Sequence, residues 1–147
     1  MSKVIIWTQN NGALAITHPA ENCGLTVEEI AEKDVPDGKP YSIMDSSKLP
    51  ESSIFRDAWV ADNNWNINVD MERAREVWRN KIRFARALKW EQLDVAYMKA
   101  LEISGDVSEI VEEKIMLRDY PNQKSISQAE TIEELQEIWD NDLLGDK

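Results

Sequence analysis

Residues 70–105 read DMERAREVWRNKIRFARALKWEQLDVAYMKALEISG. No proline or glycine interrupts this stretch before Gly105. Apolar residues return on a 3.6-residue period through Ala74, Trp78, Ile82, Ala85, Leu88, Leu93, Ala96, Ala100 and Ile103. Asp70 carries N-cap chemistry, because its carboxylate can accept the free amides of a first helical turn, and Gly105 carries helix-stop chemistry. The spacing therefore predicts one helix over 71–103, about 50 Å long. An apolar stripe of that length needs cover along all of it, which predicts self-association or permanent docking through the long helix.

Downstream, Asp106 and Glu109 read as a capping box opening a helix to about Asp119, ended by Pro121. Thr131 and Glu134 read as another, opening a last helix with Ile132, Leu135, Ile138 and Trp139 on one face. Upstream the punctuation changes. Four prolines and three glycines fall within residues 1–50, and neither type occurs from 51 to 104. Val4–Thr8 and Ala13–Thr17 flank Asn10-Asn11-Gly12, a hairpin signal because Asn and Gly both tolerate positive φ. Thr26 and Glu29 form a capping box for a short helix before Pro36, with Leu25 and Ile30 at staple positions. Tyr41–Asp45 reads as a third strand. Trp65, Ile67 and Val69 alternate with asparagines as a strand pairing with residues near 55–60 across Asp62-Asn63-Asn64. The expected class is α+β: an antiparallel β module with a short helix at 1–69, then a helical module at 70–147, a long-helix hairpin plus one helix.

The chain has 147 residues, 42% hydrophobic and 31% charged, a globular balance. Its net charge of −11 repels phosphate backbones and anionic membranes at long range, so neither nucleic acid nor membrane is an expected partner. Cys23 is the only cysteine and His18 the only histidine, which excludes an internal disulfide and a zinc site of several Cys and His ligands. No P-loop, dinucleotide-binding glycine motif or nucleophile elbow occurs, so no cofactor and no catalytic residue is assigned, and the expectation is a binding protein rather than an enzyme. The apolar run in MSKVIIWTQNNG is too short for a signal peptide, so the chain is expected to stay where it is made or to join an assembly there.

Charge is unevenly spread. Residues 71–90 hold seven cations (Arg73, Arg75, Arg79, Lys81, Arg83, Arg86, Lys89) against Glu72 and Glu76, a local +5 that leaves −16 for the rest. Arg75, Arg79, Arg83 and Arg86 share one helical stripe. It can meet an acidic partner, or it can be satisfied by Glu130, Glu133, Glu134, Glu137 and Asp140 of the last helix, the reading favoured here because the acidic remainder disfavours a polyanionic ligand. Of six tryptophans, Trp7, Trp59 and Trp78 sit where core is expected, while Trp65, near the Asn-rich turn, and Trp90, off the main stripe, are contact candidates.

The segments KVIIWTQ (3–9), AEKDVPDGKPY (31–41), DSSKLP (45–50) and FRDAW (55–59), followed by VDMERAREVWRNKIRFAR (69–86), LDVAYMKALE (93–102) and GDVSEIVEEKIMLRD (105–119), resemble small proteins of tailed bacteriophages and prophages encoded among tail and tail-fibre genes. The resemblance covers nearly the whole chain. It implies a virion structural or assembly protein, made in the host cytoplasm, whose partner is a tail or fibre protein or another copy of itself. It supplies no catalytic residues. The alternative function is an acidic phage effector that inhibits a host nucleic-acid-binding enzyme by presenting a DNA-like surface.

Overall fold

A computed structural model describes residues 2–147 and divides the chain into two compact units, one running to Ala74 and one spanning Arg75–Lys147. The architecture is α+β, with the strands and one short helix among them first and the other α-helices after them.

In the first unit, β1 (Lys3–Thr8) is the central strand of an antiparallel sheet, between β2 (Leu14–Thr17) and β3 (Tyr41–Asp45). The register sets Ile6 opposite Ile16 and Val4 opposite Met44. The run Val4-Ile5-Ile6 is apolar without alternation because both faces of β1 are covered. Ile5 packs with Ile30, Ala31 and Val35 of α1 (Val27–Asp34) and its C-terminal end. Val4 and Ile6 pack on the other side with Leu14 and Trp59, where Ile67 and Val69 also contribute. The second face is closed by a two-stranded ribbon, β4 (Trp59–Ala61) with β5 (Ile67–Val69).

Local chemistry explains the turns. Thr26 Oγ1 accepts the Glu29 amide at 3.2 Å and the Glu29 carboxylate accepts the Thr26 amide at 2.7 Å, the full capping box. Leu25 is exposed, so it does not complete a buried staple. In the β1–β2 connection only Gly12 takes positive φ; Asn11 instead accepts the Ala13 amide with its side chain at 3.0 Å. The strand expected from Trp65 begins at Ile67. Trp65 sits at φ +63°, because Asp62 gathers the amides of Asn64 (2.8 Å) and Asn66 (2.9 Å) into a tight turn.

The long helix, α2 (Met71–Glu102), is uninterrupted. Asp70 caps it, accepting the Arg73 amide at 3.2 Å. The compact division falls at 74/75 for a local reason. The Asp70 amide donates to the Ala58 carbonyl, the Arg73 guanidinium donates to the Asn11 carbonyl, and Ala74 is fully buried, so the first helical turn belongs with the strands.

In the second unit α2 turns back into α3 (Ser108–Asp119). Lys89 pairs with Glu113 at 3.5 Å and Asp94 with Lys114 at 2.6 Å across the hairpin. The expected Asp106–Glu109 box is absent: Asp106 accepts the amide and the hydroxyl of Ser108 instead, at 2.9 and 2.6 Å. The single last helix expected from Thr131 is two short ones, α5 (Ile132–Glu137) and α6 (Asn141–Leu144), and a further short helix that the sequence reading did not place, α4 (Lys124–Gln128), precedes them. Asp140 breaks the run by capping α6, accepting the amides of Asp142 and Leu143. Thr131 caps the Glu134 amide, but the Glu134 carboxylate accepts from Glu130, so only half of that box forms.

The end of α2 also differs from the sequence expectation. Ser104, not Gly105, takes the left-handed conformation at φ +53°. Its amide donates to Leu101 and that of Gly105 to Ala100, the paired bonds of a Schellman stop. A non-glycine residue at positive φ carries strain. Ser104→Gly is therefore expected to raise unfolding free energy by about 0.5–1 kcal/mol, read as a higher denaturant midpoint at unchanged slope.

Candidate interaction surface

The side chains singled out by sequence fall into two units. Trp65 belongs to the first. It is half-buried against the Val4–Ile6–Leu14–Trp59 core and borders a cleft of about 530 Å³ with Met44, Lys48 and Ile67. Arg75, Arg79, Arg83, Arg86 and Trp90 belong to the second, on α2.

Three of the four stripe arginines are turned to backbone carbonyls. Arg75 donates through Nε and Nη2 to the Ala129 carbonyl at 3.1 and 2.8 Å. Arg79 donates to the Pro121 carbonyl at 3.2 Å and to Ser127 Oγ at 3.0 Å. Arg86 donates from one nitrogen to the carbonyls of Leu117 and Arg118, both at 2.9 Å. These carbonyls lie at the ends of α3, the short turn at 120–122, and α4, where a helix leaves its last carbonyls without intrahelical donors. The acids Glu130, Glu133, Glu134 and Glu137 are exposed, so carbonyls, and not the carboxylates expected from the sequence, satisfy the stripe. Burial pushes the Arg86 guanidinium below its usual proton affinity, and the neighbouring charge of Arg83 adds to this. Arg83 turns to Glu76 and Asn80, each at 2.7 Å, and its hydrogen bond is the main force holding the Glu76 carboxyl below the ordinary range.

The tryptophans of α2 are equally committed. Trp78 is buried, donates to the Ile138 carbonyl at 3.0 Å and meets Trp139 edge-on at 5.6 Å. Lys81 lies over both rings, at 5.7 and 5.9 Å. Trp90 is half-buried between Arg86 and Lys114, at 5.8 and 5.7 Å. It lines a groove of about 410 Å³ with Tyr97, Val111, Lys114, Ile115 and Arg118.

What the sequence reading passed over lies on the opposite side of α2. Phe84 is 86% exposed, Leu88 66%, Val95 53% and Met98 57%. Leu88 was expected on the buried stripe with Ile82 and Leu93; those two are buried, but Leu88 projects from the other face, as does Phe84. Ile103, also assigned to the stripe, is exposed. The missed signal is a spacing of four, seven and three from Phe84 to Met98, which is a second apolar seam. Elsewhere, His18 and Cys23 are exposed, and among the described residues no three His, Cys, Asp or Glu side chains form a group able to hold a metal ion. Among the described residues no helix is long and apolar enough to cross a membrane.

Arg86→Met is expected to cost about 2 kcal/mol, because it leaves two carbonyls without their charged donor. Arg83→Met removes only exposed pairings and is expected to cost less than about 0.5 kcal/mol. Urea denaturation of the two variants tests this contrast. The chain matches no protein-family model, no curated protein and no solved structure.

Proposed function

We propose that this chain is a protein-binding component, in the setting its resemblance implies: a virion structural or assembly protein of a tailed phage, associated with the tail or its fibres. The observation that carries the binding role is the row Phe84, Leu88, Val95 and Met98, four large apolar side chains on one side of a helix, each more than half exposed. Scattered apolar residues are ordinary on a surface, but four aligned on one side of a rigid helix mark a contact. The row is rigid because the other side of α2 is anchored by Trp78, Ile82 and Leu93 and by the arginine–carbonyl bonds. The partner is a tail or fibre protein or another copy of the chain.

The acidic-effector reading is supported by the net charge of −11 alone. Salt and mutation separate the two. Binding through the apolar row survives high salt and is abolished by Leu88→Glu, whereas a DNA-like charge surface is screened by salt and indifferent to that change.

Mass spectrometry of purified virions from a phage carrying the gene tests the assignment. The chain is expected in the particle, or in tail intermediates isolated from infected cells. Leu88→Glu is expected to remove it from both while leaving its circular dichroism and melting unchanged, because Leu88 contributes little to the core. A chain found in neither fraction, with a free host nucleic-acid-binding protein as its stable partner, overturns this reading in favour of the effector.

A further inference from the structure

Along its exposed side, α2 carries Phe84, Leu88, Val95 and Met98 with Glu91 between the two pairs, Lys81 before them and Glu102 after them. The spacings alternate three and four, the a/d rhythm of a helix-pairing seam. Their order has a symmetry of kind: cation, two apolar residues, Glu91, two apolar residues, anion. Reversed in direction, the same surface is its own complement.

We propose that this face binds a second copy of the chain, with the two α2 helices antiparallel about a two-fold axis near Glu91. Phe84 and Leu88 of each copy then meet Met98 and Val95 of the other, and Lys81 at each end meets Glu102. The proposal rests on the protein-binding reading above and adds the partner and its geometry. Self-complementary patches of this kind are what a two-fold interface requires.

Charge fixes the direction. Within the paired stretch, residues 81–90 hold four cations and no anion, and residues 91–102 hold three anions and one cation. Antiparallel pairing lays the positive half of one helix on the negative half of the other, whereas parallel pairing lays like on like. Of these four cations Arg86 is engaged with carbonyls, Arg83 with Glu76 and Lys89 with Glu113, which leaves Lys81 as the cation at the seam's end. The Lys81 ammonium lies over the rings of Trp78 and Trp139, which restrains the charged end and lowers the entropy lost on pairing. The paired stretch from Lys81 to Glu102 is about 30 Å long. Near the axis the two Glu91 carboxylates face each other and weaken the pair, so the dimer is reversible, and removing that charge tightens it.

Sedimentation velocity of the full chain over a range of concentrations tests the proposal. A reversible monomer–dimer equilibrium is expected. Leu88→Glu should weaken it by at least about tenfold, and Glu91→Gln should strengthen it. Direction is read by cross-linking in a Cys23→Ser background. Leu88→Cys and Val95→Cys proteins, mixed and oxidised, should form the mixed disulfide in preference to either homodisulfide. A chain that stays monomeric at the highest concentration, a dimer indifferent to Leu88→Glu, or homodisulfides in excess overturns the proposal. A strict monomer that still enters the particle, and loses that ability with Leu88→Glu, overturns the second copy as partner while sparing the protein-binding reading.

Discussion

Guanidinium groups on helix α2 hold the helical half of this protein together by answering unpaired backbone carbonyls. The segment after α3 changes direction repeatedly, through a turn at 120–122 and three helices of six residues or fewer. Every helix end exposes carbonyls that the helix itself cannot satisfy, and short helices have many ends for their length. Arg75, Arg79 and Arg86 meet those at Ala129, Pro121, Leu117 and Arg118. Arginine suits the task because its donors are fixed in a plane and stay charged even when partly buried, and charge-assisted bonds are the stronger kind. Lysine, a hydrated point charge, lacks the planar fork through which Arg75 meets the Ala129 carbonyl with both Nε and Nη2. The neutral indole of Trp78 is a fourth side chain of α2 that donates to such a carbonyl, that of Ile138.

This arrangement governs the electrostatics. Because the cations of α2 bond neutral carbonyls, they are not neutralised by the acids of the C-terminal segment, and those acids stay in water. Glu130, Glu133, Glu134 and Glu137 all remain exposed, so the acidic character of the chain is displayed at its surface. The same arrangement also divides α2 by depth. Ile82 and Leu93 are buried on the side that carries the arginines, while Phe84 and Leu88, between them in sequence, project from the other side. Beyond Leu93, the large apolar side chains Val95, Met98 and Leu101 are all exposed.

Features set by neighbouring residues were legible in the sequence. The capping box at Thr26 and Glu29, the Asp70 cap, the three strands of the first sheet and the span of α2 each depend on side chains within a few positions of one another. Features set by distant backbone were not. A carbonyl carries no residue identity, so nothing in the letters 117–129 announces an arginine target, and the acids next to them were the natural guess. The Asp106–Glu109 pair had box spacing, but Ser108 offered Asp106 a nearer amide and hydroxyl. The left-handed residue at the end of α2, expected at Gly105 and found at Ser104, and the backbone of Trp65 were misread for a related reason. Their left-handed backbones are imposed by bonds at Ala100, Leu101 and Asp62, and neither residue type signals positive φ. Leu88 was misread because a 3.6-residue period is not a whole number of residues, and one residue of drift on a helix is about 100° of rotation.

The two sides of α2 face opposite demands, and their compositions differ accordingly. The inner side carries bulky apolar groups and guanidinium groups, and each has a partner within its own unit. The outer side is apolar but interrupted, with Glu91 in the middle and Glu102 at the end. An apolar residue at 91 would make the seam continuous and adhesive toward any hydrophobic surface met during folding or assembly. A carboxylate there costs affinity for every partner, but costs least for one that can keep it hydrated or set it against a cation, which is how a single polar residue in a helix seam selects partner and register. The interruption therefore argues for a specific and reversible contact on this face, since a surface selected only for tightness would have closed the gap.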